Sequence, residues 1–129
     1  MLIEHEKLIG VMSDCKWDAI YKLFQDRSLH FLYRSKEIDG SVFPEGHLRF
    51  DIREVFPIYH ASLLWVEVHS IEKVEIGKLV APKIIDNTAA AINLAEKAKA
   101  RFTLTEYGLK IWGYVKQGEN VDFYKSVNA

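Results

Sequence analysis

The sequence predicts an α+β fold: a mostly antiparallel sheet of about five strands, two N-terminal helices, and one helix before a C-terminal hairpin. Three observations support this prediction. Strand-like segments occur in runs and do not alternate regularly with helices, which favours antiparallel pairing. Two long segments carry apolar residues at helical spacing. The 129 residues contain no long linker, so we expect residues 1–129 to form a single domain.

The N-terminal part predicts two helices. Residues 2–12 form a short, moderately helical stretch that Gly10 interrupts. Ser13 then fits a helix N-cap, where its hydroxyl can accept a hydrogen bond from an amide of the first turn. In the segment that follows, four apolar residues share one helix face by their spacing: Trp17, Ile20, Tyr21 and Phe24. We expect this face to pack against the rest of the fold.

The middle of the chain predicts strands. Residues 29–33 are short and rich in aromatic and aliphatic side chains, and residues 48–52 alternate between apolar and charged side chains. Residues 37–46 contain two glycines and a proline and predict a loop. Leu63–His69 is the strongest strand, and residues 77–80 predict a short extended piece.

The C-terminal part predicts a helix followed by a hairpin. Asp86 or Asn87 can cap a helix over residues 88–100, whose apolar face has mostly small side chains: Ala91, Leu94, Ala95 and Ala98. Residues 102–105 and 109–116 then predict two strands joined by a turn that ends at Gly108. We expect the small residues to let the helix approach the sheet closely.

Composition excludes several classes of protein. The net charge is −1, which lacks the basic excess typical of proteins that bind nucleic acid or acidic membranes. Cys15 is the single cysteine, so an intramolecular disulfide is impossible. The sequence has neither a signal-peptide pattern nor an apolar run of about 18 residues. We therefore expect a cytoplasmic protein.

No catalytic, cofactor or metal signature is evident. The seven glycines are too dispersed for a nucleotide-binding loop, and Cys15 has no recognisable general base at a characteristic spacing. Glu67 and His69 could join His47, His60 or Asp51 in a metal site, but no spacing enforces convergence. Acidic pairs such as Glu72 with Glu75 are usually solvated charges. We therefore expect no enzyme, no cofactor and no metal.

Two predicted strands divide their side chains in the same way. In Leu63–His69, Leu64, Val66 and Val68 point to one side, and Leu63, Trp65, Glu67 and His69 point to the other. In residues 109–116, the polar and aromatic side is Lys110, Trp112, Tyr114 and Lys116. If the strands are neighbours, these side chains share one face of the sheet. This face is then either a second core layer under the Trp17 helix or a surface for recognition, and both alternatives stay open.

The order of several short motifs resembles a family of small bacterial cytosolic domains. The motifs are Lys16-Trp17, residues 64–68 (LWVEV), residues 79–86 (LVAPKIID), residues 108–114 (GLKIWGY) and residues 118–123 (GENVDF). The resemblance spans nearly the whole chain and is weakest between residues 29 and 58. It implies that Trp17, Trp65, Gly113 and Tyr114 maintain the fold.

The resemblance implies no enzymatic reaction. It implies an immunity protein, as in contact-dependent growth inhibition systems, that binds and occludes one toxin domain of the nuclease type. The candidate partner-binding residues are Glu67, His69, Glu72, Glu75 and Trp112. We expect a monomer or weak homodimer. A small enzyme or ligand-binding module that uses Glu67 and His69 is the alternative hypothesis.

Overall fold

The computed structural model of the protein describes residues 7–24, 31–43 and 62–125. These residues contain two helices, α1 (Asp14–Leu23) and α2 (Thr88–Lys97). They also contain nine strands: β1 (Leu8–Gly10), β2 (Leu32–Glu37), β3 (Val42–Phe43), β4 (Leu63–His69), β5 (Ile71–Val74), β6 (Lys83–Asp86), β7 (Phe102–Leu104), β8 (Gly108–Trp112) and β9 (Tyr114–Lys116). None of the helices in this part of the chain is long and apolar enough to cross a membrane.

The main sheet has five strands in the order β3-β2-β4-β8-β7, and every neighbouring pair is antiparallel. This confirms the predicted α+β class and the mostly antiparallel sheet. Two smaller antiparallel sheets pair β1 with β9 and β5 with β6. Strand β4 has the predicted bounds and lies at the centre of the main sheet.

Both helices pack on the same face of the main sheet. The core cluster joins Trp17 and Ile20 of α1 and Ala91 and Ala95 of α2 to apolar side chains of the sheet: Tyr33, Val66, Val68, Leu109 and Ile111. The predicted helix faces are therefore confirmed. Small residues on α2 allow close packing, and burial of the large apolar side chains stabilises the fold.

The prediction of two N-terminal helices is wrong for the described residues. Leu8–Gly10 forms β1, which pairs with β9 through Leu8↔Lys116 and Gly10↔Tyr114. Pairing with a distant strand outweighs the weak helical tendency of a segment that Gly10 already disfavours as a helix. The next helix, α1, begins as predicted, because the Ser13 hydroxyl accepts a hydrogen bond from the Lys16 amide at 3.2 Å.

Other boundaries differ from prediction. The strand predicted over residues 29–33 is β2, which continues to Glu37, and the predicted loop contains β3. Residues 78–80 are turn and bend, Gly77 has no regular structure, and the extended segment lies later, at β6. The predicted strand 48–52 lies outside the described residues. The last helix ends at Lys97, before the predicted residue 100.

The start and the end of the two-sided pattern also differ. The register of β2 and β4 shifts between Lys36↔Trp65 and Glu37↔Leu63. Leu64 therefore has no paired residue on β2. Leu63, and not Leu64, therefore enters the core cluster. At the other strand, the predicted run 109–116 breaks at Gly113, and Tyr114 pairs with Gly10 in the small sheet. Tyr114 is thus outside the sheet that carries Trp65.

Candidate functional site

The central strands bring polar and aromatic side chains together on the sheet face opposite the helices. Trp65 is the cross-strand partner of Trp112, and Glu67 lies between Lys110 and Arg34. The predicted neighbourhood of the two strands is therefore confirmed, and the Trp17 helix covers the other face. We call this set the charged–aromatic face: Arg34, Trp65, Glu67, His69, Lys110 and Trp112.

Lys110 lies between two indole rings. Its Nζ is 4.6 Å from the Trp65 ring centroid and 4.3 Å from the Trp112 ring centroid. Arg34 Cζ lies 6.0 Å from the Trp65 ring centroid, on the neighbouring strand. Cation–π attraction of this kind contributes about 0.5–2 kcal/mol, more where the cation is desolvated. Burial lowers the pKa of Lys110, an effect that the nearby Glu67 carboxylate opposes.

The indoles are themselves held in place. Trp112 Nε1 donates a hydrogen bond to Thr103 Oγ1 of β7 at 3.1 Å. Trp65 is only 9% exposed although it lies outside the core cluster. These contacts make a rigid centre for the charged–aromatic face.

Glu67 and His69 project from the same side of β4 and touch. His69 Nε2 lies 3.5 Å from Glu67 Oε2, which is longer than a typical N–H···O hydrogen bond. The interaction with His69 lowers the pKa of the Glu67 carboxyl, and the charges of Arg34 and Lys110 lower it further against the opposing effect of burial. Within the described residues, His69 Nε2 is buried and has no hydrogen-bond partner.

The His69 end of β4 adjoins the turn between β7 and β8. The His69 ring stacks on Tyr107, with 5.4 Å between the centroids and 27° between the planes. The Tyr107 carbonyl accepts hydrogen bonds from the amides of Ser70 (2.9 Å) and Ile71 (3.1 Å). Buried Ser70 also bonds to Thr88, with 2.7 Å between the hydroxyl oxygens. These hydrogen bonds hold the start of strand β5 against the turn at Tyr107 and the first residue of α2.

The β5–β6 ribbon, residues 71–86, begins at this point of the chain. Its register runs from Ile71↔Asp86 to Val74↔Lys83. The ribbon exposes four large apolar side chains: Ile76 (59%), Leu79 (100%), Val80 (58%) and Ile84 (63%). Apolar side chains concentrated in this way on one exposed element mark interaction sites more often than single exposed residues do.

The structure divides the predicted partner-binding residues into two groups. Glu67, His69 and Trp112 lie together on the charged–aromatic face. Glu72 is on β5 and Glu75 follows that strand, so both belong to the ribbon, where Glu75 is exposed. The ribbon as a whole carries three acidic and three basic residues, so it is electrically balanced.

Sequence reasoning missed Arg34, Tyr107 and the exposed apolar side chains of the ribbon. The signal for the ribbon was present, since residues 76–85 carry apolar side chains without the strict alternation of a half-buried strand. Arg34 and Tyr107 had no such signal, because only the pairing of β2 with β4 and the position of the turn bring them to the site.

The described residues contain no group of three His, Cys, Asp or Glu side chains that could hold a metal ion. His47, His60 and Asp51, which were considered as ligands, lie outside this part of the chain. Cys15 is exposed in the first turn of α1. The Glu67–His69 pair can hold or orient a polar group.

Comparison with known proteins identifies a family for this chain. The model of a family of unknown function, DUF6678, matches residues 1–118. The search of curated proteins and the search of solved structures each found no matching protein. The match agrees with the expectation of a small family that spans nearly the whole chain.

Proposed function

This chain belongs to the DUF6678 family, and we propose that it is a cytoplasmic protein-binding domain that neutralises a bacterial toxin domain by covering its active site. The observation that supports protein binding best is the set of exposed apolar side chains on the β5–β6 ribbon. The immunity role, as in contact-dependent growth inhibition, comes from the resemblance of the sequence motifs.

Leu79 gains no stabilisation from burial within this chain, because its side chain is fully exposed. Transfer of a Leu, Ile or Val side chain from water into an apolar contact contributes roughly 1.5–3 kcal/mol. A partner that covers Leu79 and Ile84 would gain this free energy at little cost to the monomer. These side chains are therefore the proposed anchors.

The charged side chains have a second role in this proposal. Glu72 and Glu75 lie on the same ribbon as the anchors. Glu67, His69 and Trp112 lie on the charged–aromatic face of the main sheet. Polar groups at the rim of an interface fix orientation and suppress wrong partners more than they add affinity. Because the ribbon is electrically balanced, we expect paired contacts and not a general attraction to a basic nuclease.

A second candidate function is a small enzyme or ligand-binding module centred on Glu67 and His69. The buried Nε2 of His69, which lacks a hydrogen-bond partner in the described part of the chain, favours this alternative. A buried, unpaired polar atom is costly, and a ligand could satisfy it. The variants Glu67→Gln and His69→Ala test it, because unchanged cellular function in both would eliminate this candidate.

Co-expression with the toxin domain encoded by a neighbouring gene tests the main proposal. We expect the two proteins to co-purify and the cells to survive. The double variant Leu79→Ser with Ile84→Thr should weaken binding by about tenfold or more, because two apolar anchors are lost. The matched control is Leu104→Ser, which changes an exposed leucine (52%) on the edge strand β7.

Two results would contradict the proposal. The first is a wild-type chain that neither co-purifies with the toxin domain nor reduces its toxicity. The second is a ribbon double variant that binds as tightly as the Leu104→Ser control.

A further inference from the structure

A basic pocket lies between α1, the loop after α2 and the C-terminal segment. Its volume is about 490 Å³. Glu96 supplies the single carboxylate among the lining residues. The other charged lining residues are four cations: Lys16, Lys99, Arg101 and Lys125. The pocket is an open groove, and its volume is large enough for a small molecule.

The walls of the pocket are fixed by packing and by backbone hydrogen bonds. Phe102 is buried at 2% exposure, and the Tyr124 ring stacks on it with 5.1 Å between centroids and 21° between planes. The Tyr124 amide donates to the Phe102 carbonyl at 2.8 Å, and the Trp112 amide donates to the Arg101 carbonyl at 2.9 Å. Phe102 of β7 thus lines the pocket, and β8 fixes the neighbouring Arg101 backbone through the Trp112 amide.

Lys99 occupies a position that ordinarily belongs to glycine. It follows the C-cap Ala98 with φ +57°, and it is the one non-glycine residue with positive φ in the described segments. The Lys99 amide donates to the Glu96 carbonyl and the Ala100 amide to the Ala95 carbonyl, both at 3.0 Å. This pair of bonds is a Schellman motif, whose left-handed residue is usually glycine. A lysine here is strained, and Lys99 is one of the residues that line the pocket.

The four cations are not neutralised within the pocket. Counting Glu96, the pocket carries four positive groups and one negative group, an excess of three, in a chain whose net charge is −1. The described residues form no ion pair with any of the four. The partial negative charge at the C-terminus of α2 explains why a cation is present at Lys99. It does not account for Lys16 on α1 or Lys125 in the C-terminal segment.

We propose that this pocket binds a small molecule that carries a di- or triphosphate group, of the nucleotide class. Phosphate oxygens match the guanidinium of Arg101 and the positive charges of the three lysines that line the same pocket. Tyr124 offers an aromatic ring beside the cations on which a planar base can stack. This site is separate from the residues proposed to bind a protein partner, so either proposal can fail without the other.

Isothermal titration calorimetry with ATP and with inorganic tripolyphosphate tests the proposal on the full chain. We expect saturable 1:1 binding with a Kd below about 1 mM. Arg101→Gln should weaken binding by about tenfold, because it removes charge-assisted hydrogen bonds. Lys99→Gly should weaken binding and also raise the melting temperature, because glycine relieves the backbone strain. Loss of binding in a stabilised variant excludes unfolding as the cause.

The control is Lys22→Gln, which removes the same charge from an exposed position on α1 outside the pocket. Tighter binding of ATP than of tripolyphosphate would indicate base recognition, and equal affinity would assign binding to the phosphates alone; both support the proposal. Absence of binding up to about 1 mM of either ligand overturns it. Equal losses in Lys22→Gln and Arg101→Gln, or tighter binding of a single-stranded oligonucleotide than of ATP, also overturn it.

Discussion

On the charged–aromatic face, each side chain depends on its cross-strand neighbours. Glu67 is flanked by Arg34 on one side and Lys110 on the other, and His69 touches it along the same strand. Lys110 in turn places its Nζ over both the Trp65 and the Trp112 ring. A substitution at Glu67 therefore removes the one carboxylate among three cationic or potentially cationic groups.

Glu67→Gln should change the pH dependence of stability. The folded state lowers the pKa of Glu67 below its ordinary value of 4.5, so the ionised carboxylate stabilises the fold above that value. This contribution is lost as the pH falls through the lowered folded-state pKa. We expect the variant to be less stable than the wild type near neutral pH, by up to about 1 kcal/mol, because the ion pair keeps some contact with solvent, at 16% exposure for His69 and 21% for Glu67.

Urea denaturation over a range of pH measures this difference, which should shrink as the pH falls below 4.5. The control is Glu106→Gln, an exposed glutamate in the turn between β7 and β8. A stability difference for Glu67→Gln that stays constant into the acid range would contradict the assigned interactions.

At the scale of elements, Gly113 is the junction at which the chain leaves the main sheet. Strand β8 pairs with β4, whereas β9 pairs with β1, and Gly113 separates them. The Gly113 amide donates to the Leu64 carbonyl at 2.8 Å, next to the bulge in β4. A Cβ at this position would clash with the Leu63 carbonyl and lie 3.2 Å from Trp17 Cζ2.

Gly113→Ala should therefore destabilise the protein by about 1–3 kcal/mol, as overpacking usually does. The neighbours are backbone and a core indole, so neither can move aside cheaply. The midpoint of urea denaturation measures the change. Gly77→Ala is the control, because a Cβ there meets only Val80 at ordinary contact distances of 3.6 and 3.9 Å. Equal effects of the two substitutions would show that Gly113 has no special packing role.

At the scale of the whole molecule, the main sheet divides the described residues into unlike surfaces. Both helices cover one face and complete the core, and the charged–aromatic face is opposite. The β5–β6 ribbon is a separate two-stranded sheet. It joins the rest of the fold at Ser70 and Asn87, where the Asn87 amide donates to the Ser70 carbonyl at 2.8 Å. Most of its side chains are exposed or half-buried.

This division predicts that backbone amides of the ribbon and of the main sheet are protected unequally from hydrogen exchange. Hydrogen-bonded amides of β5 and β6 should exchange with solvent by local opening, because few buried apolar contacts hold the ribbon. Hydrogen-bonded amides around Val66 and Ile111, which are fully buried, should exchange only on global unfolding. Hydrogen exchange followed by NMR measures both sets. Equal opening free energies would show that the ribbon belongs to the same cooperative unit as the main sheet.

Features that depend on neighbouring residues could be predicted from the sequence. The two-residue period fixed strand β4 and the side of it that carries Trp65, Glu67 and His69. The 3.6-residue period and the Ser13 cap fixed α1, and the turn at Gly108 fixed the β7–β8 hairpin. These signals are local, because side-chain direction and capping depend on residues a few positions apart.

Features that depend on distant residues became visible in the folded protein alone. Strand β1 exists because β9 pairs with it, and the same pairing removes Tyr114 from the charged–aromatic face. The bulge at Leu64, the arrival of Arg34 beside Glu67 and the convergence of four cations on one pocket likewise require contacts between separate elements. Such contacts follow from packing and strand pairing across the chain, which override weak local propensities and leave no periodic signal in the sequence.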